Sequence, residues 1–266
     1  NTADAIIVGN FVGKEALASV GGSASTIINL LVGFFVVLSS GATVIISQYY
    51  GADNRRRVSD SVHTAIALAI AGGVVIMLLG LVSARFALTA MGTPDDILSL
   101  SLTYMKIYYL GTIPSMIYNM GSGILRALGD SKRPLLFLVV CTIVNTILDL
   151  FFVAVLKLEV AGAAIATSLS QLICAWQRAH GDYRLDLKKI RPDGWLLKRM
   201  LVIGLPAGIS SVLYNITNVY VQKAINLLGT DTVAAWSVYW KLDGIFWPIS
   251  NAIGIAVMTF AGQNYG

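Results

Sequence analysis

Two aspartates interrupt apolar stretches of the chain, and their type and position make them the first candidates for chemistry. Asp4 lies in the apolar run that ends at Gly13, and Asp149 lies in another that ends before Lys157. At 1.5 Å per helical residue, Asp4 lies roughly 13 Å and Asp149 roughly 12 Å from the end of its helix. An ionisable side chain inside an apolar layer costs several kcal/mol unless it faces a cavity, a partner or an ion. We therefore expect these carboxyl groups to be functional.

Two neutral polar residues reach the same depth. Asn145 lies one turn from Asp149 on the same helix face, and Thr167 lies roughly 12 Å into the next helix, which enters from Glu159. Two carboxylates, a carboxamide oxygen and a hydroxyl form a hard-oxygen set that suits an alkali cation, or a proton shared by coupled acids. The sequence therefore predicts one cation site, with Na⁺ as a candidate occupant, formed by Asp4, Asn145, Asp149 and Thr167.

The same side chains also allow a structural explanation. Lys106 enters its helix from the same side and would neutralise one aspartate, while Asn145 and Thr167 would form hydrogen bonds between helices. Tyr104 reaches a similar depth, where it would line a substrate site or belong to the aromatic belt at the membrane surface. These alternatives stay open at the level of sequence.

The elements that must position these residues are transmembrane helices. Hydrophobic residues at 56%, charged residues at 12% and a mean hydropathy of +0.73 leave too little polar surface for a soluble globule. The apolar runs are continuous rather than alternating, so a membrane β-barrel does not fit. Pro114, Pro206 and Pro248 predict tilts or kinks in the longer runs. We predict an all-α polytopic membrane protein with spans at 20–48, 61–83, 97–125, 134–156, 160–176, 200–228 and 232–262, and the outer half of one more at 1–12.

The basic residues indicate the orientation. Thirteen of the nineteen lysines and arginines lie on alternate connections: three at 55–57, three at 126–133 and seven at 178–199. These connections face the cytoplasm by the positive-inside rule, so the net charge of +5 reflects topology. No aromatic or Gly-Arg interleaving accompanies the basic runs, and we expect no nucleic-acid partner. The expected location is the inner (plasma) membrane, as a multi-pass protein whose partners are the lipid bilayer and a small-molecule substrate.

Cysteine and histidine give no sign of enzyme chemistry. Cys141 and Cys174 both lie inside predicted helices and imply no disulfide. His63 and His180 show no paired-ligand spacing, and the chain contains no phosphate-binding G-x-x-x-x-G-K-[ST] loop. We therefore expect neither an enzyme nor an ATP-driven pump, and no cofactor.

A motif occurs twice, about 215 residues apart. Gln48-Tyr49-Tyr50-Gly51 ends an apolar run near the start of the chain, and Gln263-Asn264-Tyr265-Gly266 ends its equivalent. Two like halves are typical of a transporter, in which substrate sites form where the repeats face each other. The predicted organisation is a first lobe of six helices at 1–176, its first helix truncated, then a cytoplasmic amphipathic linker at 177–198, then the first two helices of a second lobe at 199–266.

Seven segments taken together resemble the MATE (multidrug and toxic compound extrusion) transporters. They are ADAIIVG at 3–9, QYYGA at 48–52, RALGD at 126–130 followed by Pro134, NTILD at 145–149, GAAIAT at 162–167, GLP at 204–206 and GQNYG at 262–266. The resemblance covers nearly the whole chain. It implies twelve helices in two six-helix lobes, of which the start of the first helix and the last four helices lie beyond this chain.

The resemblance also implies a function. Asp4, Asn145, Asp149 and Thr167 match the family's cation-coupling cluster, and coupling is expected in the first lobe because Tyr220 stands where the repeat would place an acid. We expect a monomeric, bacterial-type secondary efflux transporter that exports small organic, often cationic, compounds in exchange for Na⁺ or H⁺. A lipid-linked oligosaccharide flippase is an alternative that should have more cationic residues lining its cleft. A membrane-embedded enzyme is disfavoured, because the sequence shows no nucleophile, base or metal cluster near an interface.

Overall fold

The computed structural model describes residues 2–13, 16, 19–20, 23–93, 95–175, 190–226 and 230–265, and the regular structure in them is helical throughout. This confirms the all-α prediction. Four helical stretches among these residues are long and apolar enough to cross a membrane: Ala24–Gly51, Arg55–Ala90, Lys132–Val155 and Gly194–Thr217. The helices are α1 (Thr2–Phe11), α2 (Ser23–Leu38), α3 (Ser40–Gly51), α4 (Arg55–Ala90), α5 (Asp95–Leu110), α6 (Thr112–Ala127), α7 (Lys132–Asp149), a π-helical turn (Leu150–Val155), α8 (Glu159–Ala175), α9 (Gly194–Asn226) and α10 (Thr230–Tyr265).

The run predicted at 20–48 contains a break. Helices α2 and α3 meet at Ser39, whose hydroxyl donates a hydrogen bond of 2.8 Å to the carbonyl of Phe35. A serine hydroxyl that bonds to the preceding turn competes with the backbone ladder, and Ser/Gly sequences are frequent sites of helix bending. The sequence Ser39-Ser40-Gly41 therefore accounts for the break.

The run predicted at 97–125 is also divided, and the kink expected from Pro114 is found there. Helix α5 ends at Leu110 and α6 begins at Thr112, with Gly111 between them. Proline lacks an amide hydrogen and its ring clashes with the carbonyl four residues earlier, which belongs here to Leu110. In contrast, α9 continues as one helix through Pro206.

The long helix α4 is the centre of the first lobe and packs against α3, α5 and α6. Its approach to the neighbouring helices is close because small residues lie at the contacts: Gly80 faces the ring of Tyr109 and Gly73 faces the backbone of Ile113. Close approach at small residues is the usual basis of helix association in membranes. The fully buried core around α4 includes Ile45, Ile46, Leu88, Met105, Tyr109 and Met120.

Helix α9 begins inside the stretch predicted as the linker at 177–198. Oδ1 of Asp193 accepts hydrogen bonds from the backbone N–H groups of Trp195 at 2.9 Å and Leu196 at 3.1 Å. This is helix N-capping by an aspartate, and it starts α9 at Gly194, six residues before the apolar run predicted from 200. Residues 177 to 189 of that linker lie outside the described residues.

Candidate functional site

The predicted cation site is built around the hairpin of α7 and α8. Helix α7 ends at Asp149 and passes directly into the π-helical turn Leu150–Val155. This turn packs against α1 and α8, and α1 also contacts α7 and α8. Single π-helical turns within α-helices are rare and frequently lie at functional sites. The structure thus brings the three helices that carry the predicted residues into contact.

A tight connection positions α8 against α7. Lys157 and Glu159 both adopt left-handed backbone angles, with φ of 55° and 51°, and the N–H of Leu158 donates to the carbonyl of Phe152 at 2.9 Å. A Cβ added at Gly162 would lie 3.0 Å from the Cβ of Phe152, so glycine permits the close approach there. The helices are in contact from the first turn of α8 onwards.

Asn145, Asp149 and Thr167 are all buried, with exposures of 8%, 0% and 6%. The Nδ2 group of Asn145 donates a long hydrogen bond of 3.4 Å to Oγ1 of Thr167, which itself donates to the carbonyl of Ala163 at 3.0 Å. Asp149 lies one helical turn beyond Asn145 on α7. Asn145 and Thr167, which lie on two different helices, are therefore side by side in the structure.

Asp4 lies on α1, but its side chain is outside the described part of the structure. The described part of α1 buries Ile7 and Val8. The helix that carries Asp4 therefore packs against α7, the π-helical turn and α8, the elements that surround the predicted site. That Asp4 belongs to the same site stays a prediction.

Tyr104 and Lys106, two further residues considered from the sequence, both lie on α5. Tyr104 is buried, at 4% exposure, and its ring centre lies 6.1 Å from that of Tyr108. A ring in the aromatic belt would face lipid or water, so the burial of Tyr104 does not favour the belt explanation. Lys106 is exposed on α5, whereas Asp149 is fully buried, which does not favour neutralisation of Asp149 by this lysine.

The atoms that could bind a cation at this site are oxygens. No group of three or more His, Cys, Asp or Glu side chains suited to a metal ion occurs within the described residues. The carboxylate of Asp149, the carboxamide of Asn145 and the hydroxyl of Thr167 are instead hard, mostly neutral ligands of the kind that alkali cations accept.

A second group of contacts was not predicted from the sequence. It closes the end of the molecule where α3 and α10 finish, and we call it the cytoplasmic seam. Arg199 donates from Nη1 to the Tyr49 hydroxyl at 3.2 Å, and Gln263 donates from Nε2 to the carbonyl of Ala127 at 2.9 Å. At the other end of α3, a Cβ added at Gly41 would overlap the backbone of α9, so α3 also packs closely on α9 there. The repeated Gln-x-Tyr-Gly motif was the available signal for Gln263, whereas Tyr49 stands at the variable position of that motif.

Comparisons with known proteins agree with this architecture. The family model described as MatE matches residues 1–151. The probable multidrug resistance protein YpnP of Bacillus subtilis (strain 168) is 29% identical over 272 residues, which cover 99% of this chain and 60% of that protein. The FAD transporter of Shewanella oneidensis is 23% identical over 96% of this chain and 58% of its own length. The chain thus spans about 60% of the length of these relatives.

Solved structures show the same fold. A MATE transporter in the bent conformation superposes with a TM-score of 0.83 at 24% identity, over 98% of this chain and 58% of that one. A multidrug resistance MATE family transporter of the MOP superfamily gives a TM-score of 0.83 in its outward-facing conformation and 0.75 in an inward-facing one, each at 24% identity. These cover 99% and 98% of this chain, and 57% and 58% of the solved chains.

Proposed function

Because the chain belongs to the MATE family of membrane transporters, which are not enzymes, we propose that it is part of a secondary active efflux transporter. In this proposal the protein exports small organic, often cationic, compounds in exchange for Na⁺ or H⁺, which are transported species rather than cofactors. It acts as a monomer in the inner (plasma) membrane. The proposal also divides the chain into a first lobe at 1–176, a linker at 177–198 and the first part of a second lobe at 199–266.

The observation that supports this proposal best is the complete burial of Asp149 beside the hydrogen-bonded pair Asn145 and Thr167. A carboxylate that is shielded from water is costly when charged, so a bound cation or a proton stabilises it. The π-helical turn that follows Asp149 contacts α1, the helix of Asp4. Occupation of the site therefore has a direct mechanical connection to a neighbouring helix.

The proposed mechanism uses this connection. A cation or proton enters from the outside and compensates one of the two negative charges of Asp4 and Asp149, which weakens their mutual repulsion and lets α1 pack against α7. If this packing differs between the two access states, occupancy shifts their equilibrium by the difference in affinity. The occupied state releases substrate outward, and the ion then leaves to the cytoplasm. Coupling in this scheme lies in the first lobe.

Transport by the full-length protein in proteoliposomes tests the proposal. Ethidium, an organic cation, serves as the substrate, and Na⁺ and H⁺ gradients are imposed separately. The wild-type protein should export ethidium under at least one gradient, while Asp149→Asn and Asp4→Asn should abolish gradient-driven export. Both variants should insert normally, since removal of a charge from a membrane helix lowers the cost of insertion.

Asp130→Asn is the matched control. Asp130 makes an ion pair of 3.1 Å with Arg133 at the exposed start of α7, far along the same helix from Asp149. This variant carries the same chemical change and should export at close to the wild-type rate. The proposal would be overturned if Asp149→Asn exported ethidium at the wild-type rate. It would also be overturned if the rate of export by the wild-type protein depended on neither gradient.

A further inference from the structure

Two arginines from different helices converge on one tryptophan at the cytoplasmic border of the protein. The guanidinium carbon of Arg57, at the start of α4, lies 5.4 Å from the ring centre of Trp195, and that of Arg199 lies 5.0 Å from the same ring. Both distances are within the range of cation–π attraction. We call these three residues the Arg57–Trp195–Arg199 cluster.

The start of α9 is fixed onto α4 by other contacts, so the cluster is held in place. The backbone N–H of Asp193 donates to Oγ1 of Thr64 on α4 at 3.2 Å, and Leu196 next to Trp195 is fully buried. Arg199 is further held by its hydrogen bond to the Tyr49 hydroxyl on α3. Both guanidinium groups are therefore held beside the Trp195 ring before a ligand binds.

Among the described residues, the charge of the cluster is incompletely compensated. Asp193 lies 3.9 Å from Arg57, at the limit of an ion pair, and one of its oxygens already caps α9. The partner of Arg199 described above is a neutral hydroxyl. A guanidinium has five N–H donors, so each arginine retains donors for an anion. The exposed Arg56 and Lys198 add further positive charge nearby.

We propose that the Arg57–Trp195–Arg199 cluster binds the phosphate headgroup of an anionic phospholipid from the cytoplasmic leaflet. Guanidinium groups form paired, charge-assisted hydrogen bonds with phosphate. Tryptophan prefers the depth of the headgroups, and Trp195 is 52% exposed there. Basic pockets between helices on the cytoplasmic side are suited to anionic lipid headgroups. Because α4 and α9 belong to different predicted lobes, the bound lipid would bridge them.

Native mass spectrometry of the purified full-length protein tests this site with single lipid molecules. Phosphatidylglycerol should bind more tightly than phosphatidylcholine. Arg57→Gln and Arg199→Gln should each weaken phosphatidylglycerol binding about fivefold, as expected for one cationic contact to an anionic lipid. Arg85→Gln is the matched control, because Arg85 is an exposed arginine near the opposite end of α4. The Arg85→Gln variant should bind phosphatidylglycerol as tightly as the wild-type protein does.

Three results would overturn the proposal. The first is equal binding of the two lipids by the wild-type protein. The second is a loss of phosphatidylglycerol affinity in Arg85→Gln as large as that in Arg57→Gln or Arg199→Gln. The third is displacement of phosphatidylglycerol by inorganic phosphate at comparable concentration, which would identify a site for a soluble anion. Thermal unfolding of each variant checks that the fold is retained, and Arg57→Lys should keep part of the affinity because it retains the charge.

Discussion

Ser47 and Gly262 occupy equivalent positions in the two copies of the repeat, one residue before Gln48 and Gln263, and they lie against each other in the fold. A methyl group added at Gly262 would overlap the Ser47 side chain. Two equivalent residues that touch must lie close to the axis that relates their repeats. We therefore expect the pseudosymmetry axis implied by the sequence repeat to pass between α3 and α10 at this point. The packing of Gly51 against Gln263 also brings the C-terminal ends of these helices to the same side of the membrane.

A disulfide should form between cysteines placed at these two positions. The Cβ of Ser47 lies 3.0 Å from an ideal Cβ at Gly262, close to the separation of roughly 3.5–4.5 Å found in disulfides. In a protein without Cys141 and Cys174, the pair Ser47→Cys and Gly262→Cys should lose reactivity towards maleimide on oxidation. Transport should stop as well, because the cytoplasmic seam is then locked, and reduction should restore it.

The pair Ser47→Cys and Gly254→Cys is the control for this experiment. Gly254 also lies on α10, but nothing lies within 4 Å of a Cβ built there. Its cysteine should remain reactive after oxidation. Equal cross-linking of both pairs would show that α3 and α10 do not have the defined contact described above.

Gly41→Val should disrupt the seam. The added side chain would overlap the carbonyl of Met200 and the backbone of Gly204, which have no flexible atoms that can move aside. Overpacking at such a contact costs about 1–3 kcal/mol. The cytoplasm-closed state should lose population, and a cysteine at Tyr49 should react faster with a reagent added on the cytoplasmic side. Gly33→Val on α2, where a Cβ meets nothing within 4 Å, should leave this rate unchanged.

The sequence predicted helices and depths because both depend on local properties. Apolar runs indicate spans, and a rise of 1.5 Å per residue places Asn145 and Thr167 at one level on two helices. Interruptions were harder to predict. The break at Ser39 and the π-helical turn after Asp149 replace regular α-helix within runs whose apolar composition is continuous. Only at Pro114 did a residue with a strong local effect indicate the position in advance.

Contacts between distant segments could not be predicted in the same way. Gly41 and Gly204 meet because α2 and α3 cross α9, and nothing in either segment alone specifies its partner. The Arg57–Trp195–Arg199 cluster likewise depends on where α9 begins, and residues 194–198 had been assigned to the linker rather than to a helix. The repeat was the one feature of the sequence that related distant segments, because equivalent positions in two related halves are connected by one symmetry operation.

The two ends of α4 should be accessible from opposite sides of the membrane. Asn54 caps its start with a hydrogen bond from the Arg57 N–H at 3.1 Å, and Met91 caps its end and is 44% exposed. In a protein without native cysteines, Asn54→Cys should react with an impermeant maleimide only from the cytoplasm. Met91→Cys should react only from outside. Labelling of both from one side would contradict the orientation derived from the basic connections.

Thr167→Val should slow ion-driven transport without abolishing it. The Thr167 hydroxyl accepts the hydrogen bond from Asn145 and is buried next to the helix of Asp149, so valine removes one neutral ligand from the proposed ion site. Loss of one neutral hydrogen-bonding group costs about 0.5–1.5 kcal/mol, which corresponds to roughly a twofold to tenfold decrease in apparent ion affinity. The affinity is measured as the Na⁺ concentration or pH that gives half-maximal ethidium export. Thr146→Val is the control, because Thr146 is half-buried and its hydroxyl donates to the carbonyl of Thr142 on its own helix, 2.9 Å away. An equal effect of the two substitutions would indicate a general change in helix stability, whereas an effect confined to Thr167→Val would place its hydroxyl at the ion.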